Sequence, residues 1–259
     1  MVKKNDYILI NIPFFMSQYK IKTIFIMRKI ILILFPILIV TACSSGEIGN
    51  SRDVNPETIY IAYNISYSEN STQVGCMAQF RFAGEDGTTL VLNDPSSVSL
   101  DNKEIVVDSN TNYSGAYYLV NADQANFSGT HTWRYTDAKG KTYTHQFDFI
   151  PFKLDEEIPS SITSDKDLII KLSGLKDGSD VHCIVSDTSF SSDDIDRSFK
   201  INHGTIVIPS TLLQKLSEGP ADVIVSSNYT KPLDQSTPEG GVLNYDYSLL
   251  PRSIILTKK

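Results

Sequence analysis

The sequence predicts an all-β fold that contains two β-sandwich domains. Apolar and polar residues alternate with a period of two over most of the chain, and the alternating segments are short and regularly spaced between turn residues. One stretch rich in Pro, Ser and acidic residues divides these segments into two sets. Strands that bury a single face are stabilised when two sheets pack together, so this pattern favours sandwiches.

The first set of strands is expected within residues 57–153. It opens with Ile59, Ile61 and Ile65, which alternate with more polar residues. Its clearest hairpin runs from Thr130 to Phe149, because Gly140 can supply the positive φ of a type I turn with a bulge. The other strands are predicted at residues 74–82, 88–92, 97–100, 103–107 and 115–120.

The alternation breaks over residues 151–167, and a domain linker is predicted at 154–167. The second set of strands follows within residues 168–259. A short helical turn is expected at Ser210 to Leu216, capped by Ser210 or Thr211, and residues 234–247 are predicted as a long surface loop. The strands of this half are predicted at residues 168–172, 180–186, 198–201, 205–208, 221–227 and 252–257.

The hairpin at residues 127–149 and the segment Gly204 to Val225 resemble parts of the tandem immunoglobulin-like domains of Gram-negative surface lipoproteins. The resemblance implies two immunoglobulin-like sandwiches, at residues 57–153 and 168–259. The Cys…Trp…Cys pattern of antibody domains is absent, because Cys76 precedes Trp133 but the first domain has no second cysteine. A Greek-key strand order is therefore implied by the resemblance alone.

The N-terminal region has the order of a secretory signal, which we place at residues 27–42. Arg28 and Lys29 precede an apolar run of eleven residues from Ile30 to Val40. A membrane-spanning helix needs roughly 20 residues, so this run is too short to cross a bilayer. Met27 lies where a signal peptide should begin, and residues 1–26 are interpreted as a spurious upstream extension. The alternative is an unusually long n-region of the signal.

The end of the signal, Val40-Thr41-Ala42-Cys43, resembles the lipobox of bacterial lipoproteins. The resemblance implies cleavage between Ala42 and Cys43, and acyl chains such as palmitate on Cys43. Two or three acyl chains anchor a protein stably in a membrane. The alternative is an ordinary secretory signal in which Cys43 has no special role. Residues 43–56 are polar and are predicted to form a flexible tether.

The charge of the mature chain excludes one class of partner. The whole chain has 23 basic and 30 acidic residues; six basic residues and one acidic residue precede Cys43, which leaves a net charge of −12 after it. Such a surface repels phosphate backbones, so nucleic acid is not expected as a partner. We expect the membrane as a partner through the lipid on Cys43, and a location in the cell envelope, at the outer membrane.

Two cysteines remain after Cys43. Cys76 and Cys183 each lie on the apolar side of an alternating segment, where a free cysteine packs as a small hydrophobic residue. Two buried thiols are expected. An interdomain disulfide is the alternative, since an oxidising compartment would permit it.

No catalytic motif is found: there is no P-loop, dinucleotide-binding glycine pattern, HExxH, CxxC or Gly-x-Ser-x-Gly. His131 and His145 flank one turn, but a zinc site needs three or four ligands, so two hydrogen-bonded strand residues are expected. The acidic run from Ser191 to Asp196 lacks the spacing of a calcium loop and is expected to be solvated. Neither a metal nor a cofactor is predicted.

Aromatic residues are abundant, with 13 Tyr and 12 Phe in the chain. Exposed tyrosines stack on sugars and contact protein partners, although tyrosine is also favoured in strands for structural reasons. Seven tyrosines are predicted on outward faces or loops: Tyr60, Tyr113, Tyr117, Tyr118, Tyr229, Tyr245 and Tyr247.

The sequence thus predicts a lipid-anchored, non-catalytic protein of the cell envelope that binds an unidentified envelope protein or a glycan. Two alternatives remain open. One is an envelope glycan-processing enzyme whose catalytic carboxylates come from distant parts of the chain. The other is a structural subunit of a surface assembly.

Overall fold

The computed structural model describes residues 48–108, 115–189 and 193–258. Over these ranges the chain is almost entirely β, as the sequence predicts. The described strands up to residue 149 are β1 (Ile48–Asn50), β2 (Ile59–Ser68), β3 (Gln73–Phe82), β4 (Thr88–Val91), β5 (Ser97–Leu100), β6 (Lys103–Glu104), β7 (Tyr118–Asp123), β8 (Gly129–Thr136) and β9 (Thr142–Phe149).

The longest of the described strands, β16, lies after residue 149. The described strands of this part are β10 (Lys153–Leu154), β11 (Ser161–Thr163), β12 (Leu168–Ser173), β13 (Asp180–Asp187), β14 (Ile195–Lys200), β15 (Thr205–Ile208), β16 (Gly219–Thr237), β17 (Gly240–Ser248) and β18 (Arg252–Thr257). One α-helical turn, α1, spans Ser210–Leu213, and 3-10 turns lie at Ser51–Asp53, Pro56–Thr58 and Gln124–Asn126.

These strands form three sheets. The largest has 11 strands, and its main path runs β1-β4-β3-β2-β17-β16-β13-β14, with β7 beside β3 and β18 between β16 and β11. A four-stranded sheet has the order β6-β5-β8-β9, and a three-stranded sheet has the order β10-β12-β15.

In the first half, aromatic side chains pack the large sheet against the four-stranded sheet. Tyr63 of β2 stacks on Trp133 of β8, with ring centroids 4.6 Å apart and planes within 1° of parallel. The ring centroids of Phe80 of β3 and Tyr135 of β8 lie 4.5 Å apart in the same core. Trp133 and Tyr135 are fully buried. Each such pair stabilises the fold by about 0.5–1.5 kcal/mol beyond the area that it buries.

In the second half, aliphatic residues make the corresponding core. Ile170 of β12 and Ile206 of β15 come from the three-stranded sheet, and Val181 of β13 and Val223 of β16 come from the large sheet. All four belong to one buried cluster that extends through both halves of the chain. The burial alternates along each strand, as period-two patterning requires.

One sheet runs through both predicted domains. β17 pairs in parallel with β2, in register from Gly241 opposite Ile61 to Ser248 opposite Ser68. Gly46–Lys259 accordingly forms one compact unit. The layers are doubled, as a tandem arrangement implies, and the domain bounds 57–153 and 168–259 stay predictions. The long β16–β17 hairpin carries strand edges of the second half onto the first.

A partly buried ion pair also joins the halves. The Arg252 guanidinium of β18 contacts Glu69, in the turn after β2, with Nη2 2.7 Å from Oε1 and Nη1 3.1 Å from Oε2. Its Nε lies 2.9 Å from Glu157. Because the Arg252 hydrogen bonds favour its charged form, the pKa of Glu69 is lowered below its ordinary value.

Two segments that the sequence predicts as connections contain regular structure. Residues 48–56 belong to the predicted tether 43–56, yet β1 pairs in parallel with β4, and the buried Ser51 accepts a hydrogen bond from the Asn93 N–H at 2.9 Å. The predicted linker 154–167 contains β11, which pairs in parallel with β18. Edge pairing therefore orders polar segments that lack apolar periodicity.

Two local predictions in the second half are wrong. Residues 234–247 are not a surface loop, because they include most of β17 and the end of β16. The helical turn forms, but neither Ser210 nor Thr211 caps it with its side chain. The carboxylate of Asp167 accepts a hydrogen bond from the Ser210 N–H at 2.7 Å instead. Among the described residues, no helix combines the length and apolar character needed to cross a membrane.

Candidate binding cleft

The predicted lipidation site, Cys43, and the cleavage site between Ala42 and Cys43 lie outside the described residues. The same holds for the signal peptide at 27–42 and the upstream residues 1–26. These remain predictions from the sequence.

The other two cysteines are buried and free, as expected. Cys76 lies on β3 and Cys183 on β13, and neither is exposed to solvent. Burial raises the pKa of each thiol to about 12, so both stay protonated at neutral pH. They act as small core residues.

The two histidines of the β8–β9 hairpin point to different partners. His131 has Nδ1 2.7 Å from Asp101 and Nε2 2.7 Å from the Phe127 carbonyl oxygen. His145 lies opposite Trp133 and contacts Asp234. Both are hydrogen-bonded strand residues, as the sequence predicts. In the part of the chain that the structure describes, no three His, Cys, Asp or Glu side chains are placed to hold a metal ion.

The acidic run at 191–196 is described from Asp193 onward. Asp193 and Asp194 are exposed, and Asp196 lies 3.0 Å from His182 across the β13–β14 pair. The described part of this run is therefore solvated or paired.

Most of the tyrosines predicted on outward faces are buried, so that prediction is wrong for them. Tyr117, Tyr118, Tyr245 and Tyr247 are all 3% exposed or less. Tyr60 is covered by the β16–β17 turn, where a Cβ on Gly240 would lie 3.8 Å from its ring. A second sheet or a hairpin covers these rings, and the alternation within a single strand does not show which of its faces will be covered. Tyr229 alone of this set is half-buried, and Tyr113 lies outside the described residues.

Tyr229, Tyr245 and Tyr247 lie together in a cleft of about 530 Å³, which is within the ordinary size range of ligand sites. One wall is β9, from His145 to Asp148 and on to Ile150. The second wall is the hairpin of β16 and β17. The third is the turn between β12 and β13, from Gly174 to Asp180.

Aromatic stacking builds the hairpin wall of the cleft. Tyr229 and Tyr245 face each other across β16 and β17, with ring centroids 4.3 Å apart and planes 14° from parallel. Tyr247 meets Tyr229 edge-on at 6.3 Å. Burial raises the pKa of Tyr229 to about 12, while a hydrogen bond with Tyr247 opposes that rise. These hydroxyls are therefore neutral hydrogen-bonding groups in the cleft.

Lys231 places a positive charge beside the stacked rings. Its Nζ lies 5.3 Å from the centroid of Tyr229 and 5.2 Å from that of Tyr245. Cation–π contacts at exposed sites contribute about 0.5–1 kcal/mol, which is enough to favour this position. Lys231 has no ion pair with any described carboxylate. Its ammonium is free to meet an anion.

A short irregular part of β16 ties the cleft to β9. The register between β16 and β17 shifts between Pro232 and Thr237. We call residues 233–236 the strap. Within it, Gln235 Oε1 accepts a hydrogen bond from the Thr144 N–H at 2.9 Å, and the Asp234 N–H lies 3.1 Å from His145 Nδ1. Burial lowers the pKa of His145, which favours the neutral ring that accepts this bond.

Two carboxylates of the cleft, those of Asp148 and Asp180, have hydrogen-bonding partners within the protein. Asp148 accepts from Thr130 at 2.6 Å, and Asp180 pairs with Lys200 at 2.6 Å. Asp234 lies 3.2 Å from His145.

A second, smaller groove lies elsewhere on the large sheet. It has a volume of about 270 Å³ and is polar, with Ser66, Gln73, Asn121, Asp246 and Ser248 among its residues. No Lys or Arg side chain lines it, and Tyr67 supplies its only aromatic ring. The first cleft offers more varied chemistry, so we take it as the candidate site.

The sequence did not predict the cleft. Its walls come from β9, the 174–180 turn and the β16–β17 hairpin, which are far apart in sequence. One signal was present: Leu243, Tyr245 and Tyr247 alternate with polar residues, which is typical of a strand with one buried face.

Comparisons with known proteins add little to this geometry. No protein-family model matches the chain, and no curated protein does. A tetra-tandem repeat from the extending region of a large adhesion protein aligns at 13% identity and a TM-score of 0.23, over 76% of this chain and 49% of that one. This chain thus spans about half the length of that structure.

A second solved structure contains the fibronectin(III)-like modules of Clostridium thermocellum CbhA. It aligns at 13% identity and a TM-score of 0.27, over 78% of this chain and 94% of that chain. At these TM-scores neither likeness carries an argument, so the fold and the site rest on the residues described above.

Proposed function

We propose that this chain is a lipid-anchored, non-catalytic binding protein of the cell envelope whose partner binds in the cleft. The observation that carries this proposal is the stacked Tyr229 and Tyr245 with the unpaired ammonium of Lys231 beside them. Tyrosine contributes large, rigid contact area at interfaces, and a lysine without a carboxylate partner is available to a ligand.

The placement of the cleft's carboxylates supports binding over hydrolysis. Glycoside hydrolysis needs one carboxyl group as an acid and a second carboxylate as a base or nucleophile at the same bond. In the cleft, Asp148, Asp180 and Asp234 each contact a separate neighbour. A glycan-processing enzyme would instead need two of them to face one substrate.

The anchoring part of the proposal rests on the lipobox at Val40 to Cys43. Metabolic labelling with a palmitate analogue should mark the wild-type protein and not the Cys43→Ser variant. Labelling that persists in Cys43→Ser would contradict lipidation at this residue.

The binding part is tested by filling the cleft. Ser179 lines it and is half-buried, so Ser179→Trp should fill the space and remove the capture of a purified envelope protein or glycan fraction. Asn121→Trp is the matched control, because it introduces the same side chain into the smaller groove. Equal capture by both variants would contradict the assignment of the cleft. Turnover of an envelope glycan by the wild-type protein would replace binding with enzymatic activity.

A further inference from the structure

One edge of β9 is open towards the cleft. In an antiparallel pair, residues alternate between those bonded to the neighbouring strand and those whose N–H and C=O groups point away from it. The Thr144 N–H donates to the Gln235 side chain, so the backbone N–H and C=O groups of Thr144 point away from β8. Gln146 and Asp148 follow at spacings of two and share that direction.

The backbone hydrogen bonds of the opposite strand, β8, lead to the same assignment of outward-facing residues. Gln146 lies opposite Thr132, whose N–H donates to Asp101 and whose carbonyl oxygen accepts from the Asp101 N–H. Thr132 thus uses its backbone groups on the far side of β8, and they are not bonded to Gln146. The outward direction of Gln146 therefore follows from two independent observations.

The strap covers this edge at only one position. Gln235 satisfies the Thr144 N–H, but no described residue accepts from the N–H of Gln146 or of Asp148. Both residues line the cleft. Proteins usually protect a strand edge of this kind, because unpaired backbone groups are a template for another extended chain.

The side chains around the edge set the character of that chain. Asp180 pairs with Lys200 and Asp148 accepts from the Thr130 hydroxyl, whereas the ammonium groups of Lys176 and Lys231 have no carboxylate partner among the described residues. Ile150 is 56% exposed and lies at the end of the same edge. Two unpaired ammonium groups and one exposed apolar side chain thus lie next to a free backbone edge.

We propose that the open edge of β9 binds an extended, acidic segment of a partner protein by β-strand addition. The segment's carbonyl oxygens accept from the Gln146 and Asp148 N–H groups, and its own N–H groups donate to the carbonyl oxygens of the same residues. Acidic side chains of the segment pair with Lys176 and Lys231. This rests on the proposed function, since it names the kind of partner that the cleft takes.

The test uses the full-length lipoprotein in detergent and a fluorescent peptide in which valine and glutamate alternate. Anisotropy should show saturable binding to the wild-type protein. Asp148→Pro removes one outward N–H and leaves the β8–β9 bonds intact, because proline is tolerated where the N–H faces away from the sheet. We expect roughly tenfold weaker binding, the loss of about one hydrogen bond.

Matched variants separate the backbone from the charges. Asp148→Asn keeps the N–H and removes the negative charge, so it should bind at least as well as wild type. Lys231→Gln should weaken binding roughly two- to fivefold, as for an exposed ion pair. Lys141→Gln, on the same hairpin but outside the cleft, should have no effect. Circular dichroism of each variant checks that the fold is retained.

Matched peptides complete the test. Methylation of alternate backbone amides on the pairing side should abolish binding, and replacement of glutamate by lysine should weaken it strongly. No binding of the acidic peptide to wild type, or equal binding to folded Asp148→Pro, overturns strand addition. The Ser179→Trp variant distinguishes failure of strand addition from failure of the proposed function. If Ser179→Trp still removes envelope capture, the cleft binds a partner in another way.

Discussion

Two aromatic stacks in this protein have similar geometry and different surroundings. Tyr63 and Trp133 stack at 4.6 Å between two sheets, and both are almost fully buried. Tyr229 and Tyr245 stack at 4.3 Å, but Tyr229 is only half-buried, borders a cleft and has Lys231 beside it. The same contact therefore stabilises a core where both rings are covered, and reaches a binding surface where one ring stays partly exposed.

The largest expected effect comes from the covered stack. Trp133→Ala should lower the free energy of unfolding by about 3–5 kcal/mol, because it removes a fully buried ring and leaves a cavity between the sheets. Urea denaturation followed by circular dichroism measures this.

The matched variant in the cleft is Tyr229→Ala. Tyr229 is half-buried, so its loss should cost less stability than the loss of Trp133 while weakening partner binding. Equal losses of stability in the two variants would remove the distinction between the covered stack and the open one.

The next effect tests the hairpin that builds the cleft. A Cβ added at Gly241 would lie 2.6 Å from the Ile61 carbonyl oxygen and 2.7 Å from Leu233 Cδ1. Such a close backbone approach leaves room only for glycine. Gly241→Ala should therefore lower the free energy of unfolding by about 1–3 kcal/mol, as overpacking does. Unchanged stability would mean that β17 does not lie against β2 as described.

The same variant reports on how the halves unfold. Trp133 is the only tryptophan and lies in the first half, whereas circular dichroism follows strands in both. Because one sheet joins the halves, the two signals should follow one transition in wild type and shift together in Gly241→Ala. Two separate transitions would indicate independent domains.

The smallest effect comes from the ion pair between the halves. Arg252→Gln should cost about 1 kcal/mol, because Glu69 loses charge-assisted hydrogen bonds that are partly shielded from solvent. The folded-state pKa of Glu69 is lowered, so its contribution is present above the unfolded pKa and is lost as pH falls through the folded value. The difference between wild type and Arg252→Gln should shrink in acid. A difference that is constant with pH would contradict this coupling.

The two hairpins show what could be predicted from the sequence. The β8–β9 hairpin is local: its turn residues Asp137 and Gly140 are adjacent to strands with clear alternation, and its prediction is confirmed. Residues 234–247 of the β16–β17 hairpin are predicted as a loop, because Pro238 and two glycines interrupt the segment. Proline can occupy a strand where its missing N–H is not needed, and local sequence does not reveal where that is.

The cleft depends on pairing that no local pattern contains. β2 and β17 pair in parallel although about 180 residues separate them, as Gly241 opposite Ile61 shows. That pairing carries Tyr229, Tyr245 and Lys231 to the edge of β9. It also covers Tyr60, which explains why outward faces assigned strand by strand turn out to be buried.

The central claim is that the open edge of β9 is where a partner binds, and hydrogen exchange tests it most directly. In the free protein the amides of Gln146 and Asp148 should exchange fast, while those of Phe147 and Phe149, which pair with β8, exchange slowly. The bound valine–glutamate peptide should slow exchange at Gln146 and Asp148. Slow exchange at these two amides in the free protein, or no change while the peptide is bound, would contradict the claim.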